Sequence, residues 1–215
     1  MSSDPVPYLT LAQWRRTVAE SYAAIRGASC EDSPNACRAF REQRDLLFRL
    51  HAQSPLTERQ RRDFRGLSYF PYDVSWRSTG VIRSRQPTSV QLGDADPPIA
   101  LMHVADVEFT VRDHSASLAM YWIKAYGGGL FLPFRDGTNG GQTYGGGRYL
   151  YDTIKGADLG SNDDRINLDF NYAYNPSCAY NSQWTCPLPP PNNRLAFGVI
   201  AGERTFQDNT RPSKP

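Results

Sequence analysis

Lysine is almost missing from this chain: it occurs only at Lys124, Lys155 and Lys214, and every other basic residue is arginine. Charge of one sign is equally scarce, because 24 basic and 22 acidic residues leave a formal net charge of +2. With no basic tract to reinforce it, that balance gives no reason to expect a nucleic-acid partner. No apolar run approaches the roughly 18 to 20 residues of a membrane-spanning helix, so no membrane partner is expected. Histidine is limited to His51, His103 and His114, and cysteine to Cys30, Cys37, Cys178 and Cys186. Their spacings supply neither a tetrahedral metal set nor a Cys-x-x-Cys motif, and no metal is expected. Nucleotide signatures are absent too. Gly145-Gly146-Gly147-Arg148 has no Gly-Lys-Ser/Thr, and Leu150 stands where a dinucleotide fingerprint needs its third glycine, so no cofactor is indicated. The first residues, Met-Ser-Ser-Asp-Pro-Val-Pro-Tyr, lack the basic and apolar regions of a signal peptide, and the cytoplasm is the expected compartment unless a leader was removed.

What is present can build a core. Of 215 residues 40% are hydrophobic and 12% aromatic, which fits one globular unit. Its parts read as a helical segment at 1–66 packed on the sheet, a β domain at 67–204 and a tail at 205–215. Leu11, Trp14, Val18, Tyr22 and Ile25 recur at three and four, the stripe of an amphipathic helix with Thr10 and Gln13 as its capping box and Gly27 as its stop. A second helix is expected from Ser33 as N-cap, with Pro34 in its first turn, to about Gln53, turning Phe40, Leu47, Phe48 and His51 inward. Thr57 and Gln60 cap a short third helix that closes at Gly66.

Beyond Gly66 the apolar period falls to two and Gly and Pro become frequent. Val107, Phe109 and Val111 alternate with Glu108, Thr110 and Arg112, and Asp113-His114-Ser115 follows as a tight turn. Further strands are expected at 118–123, 130–134, 148–152, 165–170 and 195–201, with weaker ones at 76–83 and 89–92. The expected fold is α+β and mainly β: an antiparallel β-sandwich or partly open β-barrel with an N-terminal helical layer.

Two segments, Arg135 to Gly147 and Asn171 to Arg194, exceed the length of about 12 residues at which an irregular loop becomes unusual in a compact domain. If consecutive strands alternate in direction, the His114 turn and both long loops leave from one end of the body. They would gather Asp113, His114, Arg135, Asp136, Thr143, Tyr144, Arg148, Asn171, Tyr174 and Cys178 around one mouth. In that mouth Arg135 and Arg148 could clamp a carboxylate or phosphate, or pair with Asp136 and Asp152 to hold the loop closed. Thr143, Asn171, Tyr174 and Asn175 complete the candidate substrate-binding set. The acid-base candidates are Asp136, Asp169, Tyr144 and His114, each of which has an ordinary alternative as a loop cap or a solvated turn residue. Cys178 and Cys186 read as structural, either a loop-stapling disulfide or buried thiols, with a nucleophilic Cys178 activated by His114 as the reactive alternative. Cys30 and Cys37 flank the first helix connection, as a disulfide or as plain thiols.

The stretches Leu-Phe-Leu-Pro-Phe-Arg-Asp-Gly-Thr-Asn-Gly (130–140), Thr-Tyr-Gly-Gly-Gly-Arg-Tyr-Leu (143–150), Leu-Asp-Phe-Asn-Tyr-Ala-Tyr-Asn-Pro-Ser-Cys-Ala-Tyr (168–180) and Cys-Pro-Leu-Pro-Pro (186–190), with the later Asn-Arg-Leu and Ala-Gly-Glu, carry a family resemblance. The chain resembles the bacterial and archaeal proteins catalogued as domain of unknown function 1684. The likeness reaches back through Ser54-Pro55-Leu56 and Gly66-Leu67-Ser68-Tyr69-Phe70-Pro71 and departs at Asn192, where relatives tend to carry Glu. It implies that the two long loops form one unit, and it implies no reaction.

Two functions from different classes fit these residues. One is a small-molecule-binding β protein, an enzyme of hydrolase or lyase type acting on a small polar or anionic substrate by acid-base chemistry. The other is a non-catalytic module whose rigid Tyr- and Pro-rich loop presents aromatics to a protein or glycan partner. An enclosed cavity favours the first, and a flat exposed aromatic surface favours the second.

Overall fold

The computed structural model describes residues 6–92, 99–124 and 126–207. Most of the expected tail, residues 208–215, lies outside them. Three helices, α1 (Val6–Gly27), α2 (Ser33–Leu50) and α3 (Glu58–Asp63), precede seven strands. These are β1 (Arg77–Leu92), β2 (Ile99–Val111), β3 (His114–Ile123), β4 (Gly129–Phe134), β5 (Arg148–Asp152), β6 (Ser161–Asn162) and β7 (Arg165–Asp169). They form one antiparallel sheet in the order β5-β4-β3-β2-β1-β7-β6, curled into a half-barrel, so the fold is α+β and mainly β.

Helix starts differ from the expected ones for local reasons. α1 begins at Val6, and Thr10 is already inside it, its hydroxyl donating to the carbonyls of Val6 and Pro7 at 3.0 Å each. In α2 the N-cap is Asp32 and Ser33 is the first helical residue, its hydroxyl turned back to the Ser29 carbonyl at 3.0 Å. That helix stops at Leu50, with His51 as its C-cap. The Thr57–Gln60 capping box of α3 forms in both directions, though the helix ends at Asp63, before Gly66.

In the sheet, the two weak strands merge into one long β1. The break between them survives as a register shift between Ser84 and Thr88, spanning Pro87, which has no N–H to offer a ladder. The tight turn sits at Arg112 and Asp113, so that Val111 pairs with His114 and β3 starts there. The segment 195–201 is not a strand. Its backbone groups are taken one at a time by the 135–148 region: Leu195 N donates to Arg135 O at 2.8 Å, Gly137 N to Phe197 O at 2.9 Å, and Val199 N to Asp136 Oδ1 at 3.2 Å. A proline inside the sheet explains one more irregularity. Pro133 of β4 cannot donate, the β3–β4 ladder stops at Tyr121 and Phe131, and Asn193 fills the gap. Its side chain accepts from Ala119 N at 2.7 Å and donates to Ala119 O at 2.9 Å and to Pro133 O at 2.7 Å.

One core cluster joins the helices to the sheet, with Tyr22 of α1 and Phe40 of α2 packed among Val107, Leu150, Phe170 and Tyr172. Edge-to-face rings mark the seam, Tyr22 on Phe40 at 5.3 Å and Phe40 on Tyr172 at 5.1 Å between centroids. The pairings Val111–His114, Phe134–Arg148 and Arg77–Asp169 bring the β2–β3 turn, the 135–147 loop and the chain after β7 to the same end of the sheet. Across that end the His114 ring stacks on Phe197 at 4.2 Å.

Candidate functional site

The glycine run before β5 turns its arginine inward. Gly147 has φ +94°, and a Cβ there would sit 2.7 Å from the Phe134 carbonyl oxygen, so only glycine makes this reversal without strain. Arg148, which follows, has 0% exposure and an ion pair with Asp136 at 2.9 Å. Nη1 donates to the carbonyls of Ala201 and Glu203, and Nη2 donates to that of Val199 at 2.9 Å. Burial pulls the guanidinium below its usual range, and Asp136 opposes that shift. Asp136 Oδ1 in turn accepts from the Thr138 hydroxyl and from the backbone N–H groups of Thr138 and Val199. The expected anion clamp at Arg148 is therefore corrected: the side chain staples residues 199–203 to the loop, and no solvent reaches it.

Other expected site residues have similar employment. Thr143 is fully buried and bonded to the Thr138 hydroxyl at 2.7 Å and to Asn139 Nδ2 at 2.9 Å. Asn171, also fully buried, bridges Asp73 and Asp169. Asp169 accepts from Asn171 N and pairs with Arg77 at 3.3 Å, and burial raises its pKa. His114 is an exposed stacking residue, and the Arg135 backbone pairs with residues 193–195. The hydroxyl of Tyr144 lies 3.6 Å from Cys178 Sγ. Asp136, Asp169, Tyr144 and His114 thus do not meet around one cavity, which corrects the acid-base grouping read from the sequence. Among the described residues, no group of three or more His, Cys, Asp or Glu is placed to hold a metal ion, and no helix is long and apolar enough to cross a membrane.

The sequence pattern missed a second buried charge centre. Gly202, at φ +75° and packed against the carbonyls of Phe170 and Ala173, delivers Glu203 into the interior. Its carboxylate, fully buried, pairs with Arg44 of α2 at 2.9 Å and accepts from Asn175 N, Asn175 Nδ2 and the Tyr180 hydroxyl. Arg44 also donates to the Tyr69 hydroxyl at 3.1 Å and lies over the rings of Phe48 and Tyr174, 5.2 Å from each centroid. This centre ties α2 to the loop after β7.

Next to it, between α1, α2 and residues 174–186, lies a cavity of about 270 Å³. The loop wall is positioned by the edge of the sheet, since Tyr174 and Tyr149 of β5 exchange backbone hydrogen bonds at 2.9 and 3.1 Å. Trp184 anchors the far side, donating from its indole to the Pro55 carbonyl at 3.2 Å. Trp14, Phe48, Tyr149, Tyr180 and Trp184 make the walls aromatic. Three polar atoms of lining residues are buried without a hydrogen-bond partner: the hydroxyls of Tyr22 and Tyr174 and Asn175 Oδ1. Asp152 Oδ1 is orphaned as well, and its charge adds to the upward pKa shift that burial imposes on both phenols. The exposed side chains of Arg15 and Lys155 border the cavity, and no acidic residue lines it. Of the residues singled out from sequence, Tyr174, Asn175 and Cys186 line it. Trp14, Val18 and Tyr22 appeared in the sequence only as the core face of a helix, and a tyrosine on such a stripe was the one available signal.

Fold and cavity define a class: a helix-capped antiparallel half-barrel with an aromatic cavity under the helices. The chain belongs to the family described as Protein of unknown function (DUF1684), whose match spans residues 62–204. It is similar to the solution NMR structure of an uncharacterized protein of Haloarcula marismortui, at 38% identity and a TM-score of 0.60, over 84% of this chain and 97% of that one. No curated protein matches it.

Proposed function

We propose that this chain binds a small, mainly apolar molecule with a polar or anionic end in the cavity between α1, α2 and residues 174–186. The orphaned hydroxyls of Tyr22 and Tyr174, beside Asn175 Oδ1, carry this reading. A buried polar atom without a partner costs about 1 to 3 kcal/mol, and a ligand that hydrogen-bonds to these atoms recovers it. Burial keeps both phenols protonated, so they offer donors where Asn175 Oδ1 only accepts. Arg15 at the rim favours an anionic end over a cationic one, while Lys155, which also borders the cavity, is already paired with Asp152 at 3.3 Å. The acid-base candidates read from the sequence, Asp136 and Asp169, lie off this lining, and no other carboxylate is on it. Docking of a protein or glycan has less support, because Tyr172 and Tyr180 are buried and Trp184 is only 39% exposed.

The test is a fluorescence titration with anilinonaphthalene sulfonate, an aromatic anion, followed by displacement with decanoate. Saturable one-site binding is expected. Val18→Trp, which fills the cavity from α1, and Tyr174→Phe, which removes one orphan donor, should each weaken it, the first by about tenfold or more. Absence of saturable binding, or equal affinity in Val18→Trp with an unchanged melting temperature, would overturn the reading.

A further inference from the structure

The structure assigns Cys178 and Cys186 a reactive role: an oxidisable thiol pair in which Cys186 attacks a hydroperoxide and Cys178 closes the disulfide. All four cysteines are free thiols, but only these two share a hydrogen-bonded cluster. Cys186 Sγ accepts from Cys178 N at 3.3 Å, which brings the two cysteines together within the loop. Beside Cys178 stands the Tyr144 hydroxyl, 3.6 Å from its Sγ. The roles of the two sulfurs follow from the backbone contact: an N–H aimed at Cys186 Sγ stabilises a thiolate there, and Cys178 is the resolving thiol. Hydrogen bonding to Cys178 and then the positive charge of Lys155 draw the Cys186 thiol down from its usual range, against the opposing effect of burial. The groups facing the pair are Tyr144 from the 135–147 loop, Tyr149 from β5 and Lys155 beyond β5.

Access separates this pair from inert buried thiols. Cys186 lines the cavity, so a molecule as small as a hydroperoxide reaches its sulfur without unfolding the loop. Cys37, by contrast, sits in the helix–sheet core, and burial raises its pKa to about 11. The chemistry balances. The Cys186 thiolate attacks one peroxide oxygen, an S–O bond forms, the O–O bond breaks, and hydroxide or alkoxide leaves and takes a proton from solvent. Cys186 is then a sulfenic acid, oxidised by two electrons as the peroxide is reduced. The Cys178 sulfur attacks that sulfenic sulfur, the S–S bond forms, the S–O bond breaks, and the hydroxyl leaves as water with the Cys178 proton. This assignment is independent of what else the cavity holds.

The experiment uses the whole chain and peptide mass spectrometry. Alkylation of wild-type protein by iodoacetamide across pH 5 to 10 should give Cys186 a half-maximal rate below pH 8, a midpoint that slow access leaves in place. One equivalent of hydrogen peroxide should link Cys178 to Cys186. In Cys178→Ser, dimedone should capture a sulfenic acid at Cys186, and in Cys186→Ser no adduct should form at Cys178. A Cys186 midpoint above pH 8, dimedone capture at Cys178, or oxidation of exposed Cys30 before any 178–186 link would each overturn the assignment.

Discussion

Arg148 illustrates how a residue's surroundings reverse its meaning. A fixed arginine at the end of a glycine run has the sequence character of an anion binder, yet the same rigidity lets the protein spend the whole fork on itself. One carboxylate and three carbonyls occupy Nη1 and Nη2, and Nε is left buried without a partner. Arg148→Lys keeps a charge but cannot span these acceptors. Losing one partner of a buried pair typically costs about 3 to 5 kcal/mol, so the variant should melt well below wild type. Its affinity for anilinonaphthalene sulfonate, measured where both proteins are folded, should stay within about twofold of wild type. A Lys variant with native stability and lost probe binding would restore the anion-clamp role.

At the scale of elements, the joint between α1 and α2 has a titratable member. His51, the C-cap of α2, packs edge-on against Trp14 at 5.3 Å, and its Nδ1 accepts from Gln53 N at 3.0 Å. Burial and then the nearby Arg61 charge lower its pKa from 6.5. The unfolded chain therefore binds a proton at His51 more readily than the folded one. The contribution is fully present above pH 6.5 and is lost as pH falls through the lower folded-state value. Melting temperature should drop between pH 7.5 and 5.5, and His51→Asn, which keeps an acceptor but does not titrate there, should drop less. An equal drop in both proteins would remove His51 from the joint. Elements such as this one were legible where their own residues encode them: the Thr57–Gln60 box, the break between 76–83 and 89–92 and the 148–152 strand all follow from local chemistry. The segment 195–201 was not legible, because alternation marks burial and says nothing of whether the backbone pairs with a strand or with Asp136 and Arg148. Asn193, which completes the sheet at Pro133, had no local signal at all.

For the whole molecule, alternating connections placed three loops at one end, and the strand pairings do bring them there. That end is nevertheless packed solid with Asp136, Thr143, Arg148 and Asn171. Open space arises elsewhere, where α1 and α2 bridge the β5 edge, and no local pattern records which helix covers which edge. Long-range partners such as Arg44 with Glu203, or Tyr22 near Asp152, lie far apart in the chain and meet only in the finished fold. This covered edge is the binding site we propose for a small apolar molecule with a polar end. Two-dimensional amide NMR of the full chain titrated with decanoate tests it most directly. Saturating shifts confined to residues 11–22 of α1, the 44–55 region and residues 174–186 are the expected result, and no shifts, or shifts centred on the 135–148 loop instead, would contradict it.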